Sequence, residues 1–398
     1  MRRILFFALN LFLALQASAI TLSDSAQVSL LTCGPGDELY AKFGHTAIRV
    51  KDPANQIDIS FNYGYFNYNV DGFYYKFVKG ETDYQLGICE TQEFILEYTL
   101  RRINMWEQVL NLTSAEKQRL FDALMDNYQP ENRFYRYNFV FDNCATRPRD
   151  MIAKVIGGKI VFDPGLEKNK ETFQQLIDEY TRDTPAILFG IHLIFGSQKN
   201  TDATLQQTFF LPERLMQAYA TAKIVRDSVT VPLVLSTAQP VFIPERKIDT
   251  AFNYIAVLAI LLLIGSMAMA YTDRKKQKHS LWFDGILFGL AGIAGCIVCY
   301  LNFFSVHPLV SHNWNALWLN PLLLLFAIGI LFKKTRSCAF RLQYLFLACE
   351  LFVLTGSLYL PQKFLLTEIL LMITLAIRSA LYVSFPTRIV PEKQQNVQ

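Results

Sequence analysis

The sequence predicts two unlike parts in series: an exported α+β domain over residues 20–226 and an all-α membrane domain of five transmembrane helices over residues 251–386. Three observations carry this. The chain opens with a short apolar segment that has the grammar of a secretory signal. Mixed strand and helix periodicities follow. After residue 251 come five long apolar stretches whose intervening loops alternate between basic and nearly uncharged.

At 398 residues the chain has room for about two or three domains. Its hydrophobic fraction is 52% and its formal net charge only +4, and Lys and Arg gather beside apolar spans rather than along one face. That pattern argues against nucleic-acid binding. Arg2 and Arg3, the apolar run 4–15 and Ala17-Ser18-Ala19 form the charged start, apolar middle and cleavage site of a signal over residues 1–19. The alternative, an uncleaved first span, needs ~20 apolar residues and this run is shorter. Export brings Cys33, Cys89 and Cys144 into an oxidising compartment, where one pair can close and leave an odd thiol. A Cys33–Cys89 pair with Cys144 free suits a nucleophile, but spacing does not choose among the pairings.

Residues 27–86 read as short strands and turns. Val28-Ser29-Leu30-Leu31 is apolar, Gly34-Pro35-Gly36-Asp37 is a turn cluster, 46–50 alternates behind Gly44-His45, and 57–65 is a second, aromatic-rich strand. Residues 73–78 and 83–88 are expected to be further strands. The spacing of Phe94, Ile95, Tyr98 and Ile103 predicts a helix over 91–105. Thr113 and Glu116 fit a capping box for the next helix, with Leu120, Phe121 and Leu124 as its buried face. After Asp142-Asn143 a helix runs to Ile156 and stops at Gly157-Gly158. Residues 171–180 read as another helix. The run 185–195 is almost wholly apolar yet too short to span a bilayer, so it is either a core helix or an interfacial element. Residues 227–250 read as a linker that brings the chain to the membrane.

The apolar stretches 252–271, 281–304, 315–332, 342–360 and 364–385 each have about the length a helix needs to cross ~30 Å of hydrocarbon at ~1.5 Å per residue. Arg274, Lys275, Lys276 and Lys278 follow the first, and Lys333, Lys334, Arg336 and Arg341 follow the third. The tail 387–398 carries Arg388 and Lys393, whereas the opposite loops hold only Lys363. The positive-inside rule places the basic loops and the tail in the cytoplasm and residues 20–250 outside, in agreement with the signal. Glu350 and Arg378 fall inside spans, where charge is costly unless paired. A mutual ion pair is one expectation, with Glu368 as a competitor.

The stretch Phe141-Asp142-Asn143-Cys144-Ala145-Thr146-Arg147 concentrates the chemistry. Asp and Asn are preferred helix caps, so Cys144 is placed where a helix N-terminus favours the thiolate, the nucleophilic form. Of five His, His45 and His192 lie in the exported part. His192 sits in the short apolar run, as a satisfied core or interfacial residue does. His45 begins an alternating strand behind Phe43-Gly44, and a His in that position can take a thiol proton and return it to a leaving group. A third polar group normally orients such an imidazole. Asp58 and Asn62, on the next strand, are the candidates. Asp58 carries the charge to stabilise an imidazolium and is the expected third member, though the strand register decides between them.

Taken in order, Phe43-Gly44-His45-Thr46-Ala47-Ile48-Arg49, Phe61-Asn62-Tyr63-Gly64 and Asp142-Asn143-Cys144-Ala145-Thr146-Arg147 resemble the bacterial lipoprotein N-acyltransferases of the Lnb type. The resemblance extends through the membrane part, including Leu211-Pro212 and the segment from His307-Pro308 to Asn320-Pro321. It implies a periplasmic, circularly permuted papain-like domain, related to NlpC and lecithin:retinol acyltransferase-like enzymes and held in the inner membrane. It also implies Cys144 as nucleophile and His45 as base, while the third position varies in such families. The implied reaction moves an acyl chain from a membrane phospholipid, through a Cys thioester, to the N-terminal amine of diacylated lipoproteins. No cofactor is expected. Substrate contacts are expected at Asn62, Tyr63, Asn143 and Arg147, and at His307 and Asn313 of the outward loop. His307 and His312 lack an accompanying carboxylate or thiolate cluster, so no metal site is expected. The alternative on the same Cys–His pair is a membrane-anchored NlpC-like cysteine hydrolase or amidase acting on cell-envelope substrates.

Overall fold

Alternation of apolar residues with period two builds the centre of the N-terminal part. The computed structural model describes residues 20–67, 69–168, 170–227, 229–244 and 251–384; the signal 1–19 and the tail 387–398 lie outside them. Strands β1 (Gln27–Cys33), β2 (His45–Asp52), β3 (Ile57–Tyr65), β4 (Asp83–Glu90), β5 (Met105–Leu110) and β6 (Phe134–Arg136) pair antiparallel in one sheet. A second, three-stranded sheet holds β7 (Lys159–Val161), β8 (Lys223–Arg226) and β9 (Val229–Pro232), and β10 (Val234–Val241) returns to the large sheet, whose order is β10-β5-β1-β2-β3-β4-β6.

The two faces of the large sheet separate the core. Val28, Leu30, Ile48, Val50, Phe61 and Tyr63 point to one side, where Leu120, Phe121 and Leu124 cover them together with Ile152, Leu215 and Tyr219. Leu31, Cys33, Ala47 and Met105 point to the other, against Phe94 and Tyr98. Helices α1 (Phe73–Lys79), α2 (Thr91–Leu100), α3 (Ser114–Tyr128), α4 (Thr146–Val155), α5 (Phe173–Thr181), α6 (Pro185–Ile194), α7 (Leu205–Thr208) and α8 (Pro212–Thr221) complete this part. The capping box expected at Thr113 and Glu116 is present.

Three local expectations are corrected. Residues 73–78 form a helix, not a strand; left-handed glycines, Gly72 and Gly80, bound it at both ends. The helix expected over 91–105 ends at Leu100 because Arg102 takes a positive φ, and the chain then enters β5. In the expected linker 227–250, Val229–Pro232 and Val234–Val241 are strands, while 228 and 245–250 lie outside the described residues. β10 pairs with β5 at the sheet edge, where Pro240 is tolerated beside a register shift.

The C-terminal part is helical. Among the described residues, four helices are long and apolar enough to cross a membrane: α9 (Tyr254–Lys276), α10 (Leu281–Phe304), α13 (Arg336–Gly356) and α14 (Leu366–Ser384). The third apolar stretch is divided into α11 (Asn315–Trp318) and α12 (Leu322–Gly329). Pro321 cannot extend the preceding helix, and Asn320 Oδ1 accepts the Leu322 N–H at 3.1 Å to open the next. Arg378 does not pair with Glu350. Its buried guanidinium binds Asp284 (2.6 and 2.9 Å) and Asp273 (2.6 Å), and Tyr382 donates to the same Asp284 carboxylate. Glu350 contacts Ser379, and Glu368 accepts from Asn315 and from the Leu365 N–H.

The two parts are joined through α6 and the loop 305–313. Helix α6 packs on α5 and also on α9 and α10. Buried His192 bonds Asp178 at 2.8 Å, and Asn313 and Asn315 donate to the Leu193 carbonyl at 2.8 and 3.1 Å. The apolar run 185–195 is thus neither a simple core helix nor a free interfacial one; it is the joint. Leu309 inserts into a small core with Phe173, Leu176, Tyr180 and Phe210, against which Phe43 and Phe139 pack.

Candidate active site

The end of the large sheet brings together residues a hundred positions apart in the chain. His45 is the first residue of β2, and Ala47 of that strand is paired with Asn62 of β3. This register sets the Asn62 Oδ1 3.1 Å from His45 Nε2, and Asn62 Nδ2 donates to Cys89 Sγ at 3.4 Å. The amide orientation therefore makes His45 Nε2 the protonated nitrogen and leaves Nδ1 as the basic one. Cys144 arrives from the opposite side of the sheet, packed against the core that holds Ile48 and Phe61. The two side chains meet beside Gly64, which has φ +110°. A Cβ there would lie 3.8 Å from Cys144 Cβ and 3.9 Å from His45 Cε1.

Asn143 shapes the loop that presents Cys144. Its Oδ1 accepts the N–H groups of Ala145 and Thr146, both at 2.9 Å, and its Nδ2 donates to the carbonyls of Phe139 and Phe210. It thus closes the turn that leads into α4, whose N-cap position is Ala145 and carries no side-chain cap. The same contacts consume the N–H groups expected to stabilise a thiolate. Cys144 and His45 are half-buried. Desolvation pushes the thiol up to about 11, opposed by the backbone N–H groups of Thr46 and of Cys144 itself. Burial likewise lowers His45 to about 4 despite its bond to Asn62. Both shifts run against a thiolate–imidazolium pair and toward a neutral thiol beside a neutral ring.

This has a direct readout. Alkylation of Cys144 by iodoacetamide is expected to accelerate about tenfold per unit from roughly pH 7 to 10, because the thiolate fraction rises toward a pKa above that range. A rate that is flat from about pH 5 to 8 would show a thiolate–imidazolium pair instead.

The other expected site residues are placed as follows. Asp58 does not face His45. It pairs with Lys51 in the β2–β3 register and holds Arg49 through two bonds of 2.7 and 2.6 Å, while Arg49 also grips Glu107. Arg49 keeps the Asp58 carboxyl below its ordinary value against the effect of burial. Asn62, expected to contact substrate, takes the place beside the imidazole. Tyr63 is buried, with its hydroxyl on Asn127 Oδ1 at 2.6 Å, and Asn143 is buried with its amide fully engaged. Arg147 is held by Asp142 (2.6 and 2.8 Å) and lies 3.6 Å over the Tyr135 ring. His307 and Asn313 belong to the joint between the two parts: His307 Nε2 bonds the Phe77 carbonyl at 2.6 Å, and Asn313 is buried against Leu193, Asn315 and Gln362. Cys33 and Cys89 are free thiols, as is Cys144, so the pairing that suited a nucleophile is not formed. Sequence reasoning passed over Cys89, whose sulfur fixes the Asn62 amide; only the register reveals it.

Fold and site define a class: a membrane protein whose α+β domain carries a cysteine, a histidine and an asparagine at one sheet end, directly above a helical membrane domain. A family model described as the Lnb N-terminal periplasmic domain matches residues 16–179, and one described as the Lnb transmembrane domain matches residues 248–388. Between them they span most of the chain, which belongs to the Lnb family, with its N-terminal domain in the periplasm. No curated protein and no solved structure matches it.

Proposed function

We propose that the protein transfers an acyl chain from a membrane phospholipid, through a thioester on Cys144, to the free N-terminal amine of diacylated lipoproteins in the bacterial inner membrane, with the C-terminus cytoplasmic. The observation that carries this reading is the placement of a Cys–His–Asn set, an arrangement used by papain-like enzymes, in a domain whose flanks are both seated on a membrane loop. His45 precedes Cys144 in the chain, which fits the permuted papain-like order.

In the first half-reaction His45 Nδ1 takes the Cys144 proton as sulfur attacks the ester carbonyl carbon. The C–O bond then breaks, and the same proton passes to the departing oxygen of the lysophospholipid. In the second, the lipoprotein amine attacks the thioester carbon and His45 accepts its proton. The C–S bond breaks, and the proton returns to Cys144. Asn62 keeps Nδ1 as the basic nitrogen in both steps and supports the imidazolium. The N–H groups of Thr46 and Cys144, which favour negative charge on the sulfur, are the proposed donors for charge developing at the carbonyl. The half-buried site limits hydrolysis of the thioester.

Lipoproteins from cells that depend on this chain are expected to carry an N-acyl group in their mass spectra, and the Cys144→Ala strain to accumulate the diacylated form. Unchanged N-acylation in that strain would sink the proposal; turnover of soluble peptides at full rate would favour an envelope hydrolase or amidase. The two third-member candidates separate in the same assay. Asn62→Ala is expected to slow transfer about 10- to 100-fold through loss of ring orientation. Asp58→Ala is expected to leave transfer within about twofold and to cost ~1–3 kcal/mol of stability, because buried Arg49 keeps only Glu107 of its two carboxylate partners. The reverse ranking in turnover would restore Asp58 to the site.

A further inference from the structure

Helix α1 is short, has few buried residues and is unusually aromatic on its outside. Tyr74 is 80% exposed, Tyr75 61% and Phe77 47%, with Val70 and Val78 exposed beside them, and Lys76 and Lys79 lie in its last turn. Water is a poor environment for such a surface, and aromatic rings mixed with Lys are the usual composition at a membrane–water interface. The position of the helix says what covers it. Membrane helix α10 ends at Phe304, and the chain that leaves it caps α1. Val306 N–H donates to the Lys79 carbonyl at 2.9 Å, Ser305 Oγ donates to the Val78 carbonyl at 3.0 Å, and His307 bonds the Phe77 carbonyl. Gly80 is needed for this approach, since a Cβ would come within 2.9 Å of His307 N. Phe303, Phe304 and Val306 are exposed at the same level. The end of a spanning helix marks the bilayer surface, so α1 lies along it on the periplasmic side.

From this helix a run of rings leads to the site. Phe77 and Phe73 stack with centroids 6.0 Å apart, Phe73 stacks on Phe66 at 6.0 Å, and Phe66 is two residues beyond Gly64, where a Cβ would meet Cys144 and His45. We propose that α1 rests in the headgroup layer of the membrane and is the edge across which the acyl chain of a diacyl phospholipid reaches Cys144. The interfacial seat stands on these contacts alone; the passage of the acyl donor rests on the acyl-transfer reading.

A photoreactive benzoylphenylalanine at Tyr74 of the full chain, irradiated in phospholipid nanodiscs, tests the seat. Adducts with the mass of the phospholipid are expected at Tyr74 and at the lipid-facing control Leu261 of α9, and not at Asp122 of α3. Adducts at Leu261 without any at Tyr74, or a cross-link from Tyr74 to protein alone, would overturn it. For the passage, Tyr74→Glu is expected to raise KM for bilayer phospholipid at least about threefold while kcat moves less. Tyr74→Trp should rescue it, and Cys144 alkylation should stay at the wild-type rate in both. An unmoved KM would overturn the passage. A wild-type protein that forms no acyl-enzyme at all would instead defeat the acyl-transfer reading, with the Tyr74 cross-link still deciding the seat.

Discussion

Cys144→Ala is expected to reduce acyl transfer in the purified protein by a factor on the order of 10⁵ or more, because removal of a covalent nucleophile leaves only binding and positioning. The fold should survive. The side chain is partly exposed and sits at the margin of the core, so loss of one sulfur atom costs about 1 kcal/mol. Thermal unfolding close to the wild-type temperature, together with absent transfer, is the expected pair of results. Transfer within about tenfold of wild type in a folded Cys144→Ala protein would assign the chemistry elsewhere.

His45→Ala is expected to cost on the order of 10³-fold near neutral pH, and its pH dependence makes the loss diagnostic. The thiol is held at about 11, so without a base only a small thiolate fraction exists at pH 7. That fraction rises about tenfold per unit, and the variant's rate should climb with it toward the wild-type rate at alkaline pH. The double variant with Cys144→Ala should be no worse than Cys144→Ala alone, since the two residues act as one unit. A His45→Ala rate that stays flat as pH rises would mean that the ring does something other than accept the thiol proton.

The sequence made some of this legible and hid the rest for identifiable reasons. Cys144 and His45 stand out because His is scarce and because the local grammar of each, a helix start behind Asp-Asn and a strand start behind glycine, is short-range. The third member is a long-range fact. Asp58 and Asn62 have the same parity on β3 and so project to the same face; they differ by four residues, about 13 Å along a strand. Only the pairing of Ala47 with Asn62 shows which one reaches the imidazole. Charge favoured Asp58, but Arg49 had the prior claim on it.

The thiolate expectation meets a related long-range effect. A helix start does favour an anion, yet Asn143 Oδ1 already accepts the N–H groups of Ala145 and Thr146, and burial raises the thiol pKa. Residues 73–78 are rich in aromatics, which suit strands as well as short helices; docking on the loop after α10 fixes the outcome, and that loop is far away in sequence. β10 was read as a linker because its partner, β5, lies more than a hundred residues earlier. The membrane spans were legible by length and composition, apart from the third stretch, which Asn320-Pro321 divides.

The central claim is that a phospholipid acyl group rests on Cys144 sulfur between the two half-reactions. The most direct measurement incubates the intact protein with phospholipid labelled in one acyl chain, in the absence of lipoprotein, and reads the mass of the peptide that contains Cys144. The account predicts one labelled acyl group on that peptide. It should be released by neutral hydroxylamine, be discharged on addition of a diacylated lipopeptide with a free N-terminus, and be absent from Cys144→Ala. An unmodified Cys144 peptide in a preparation that still N-acylates the lipopeptide would contradict it.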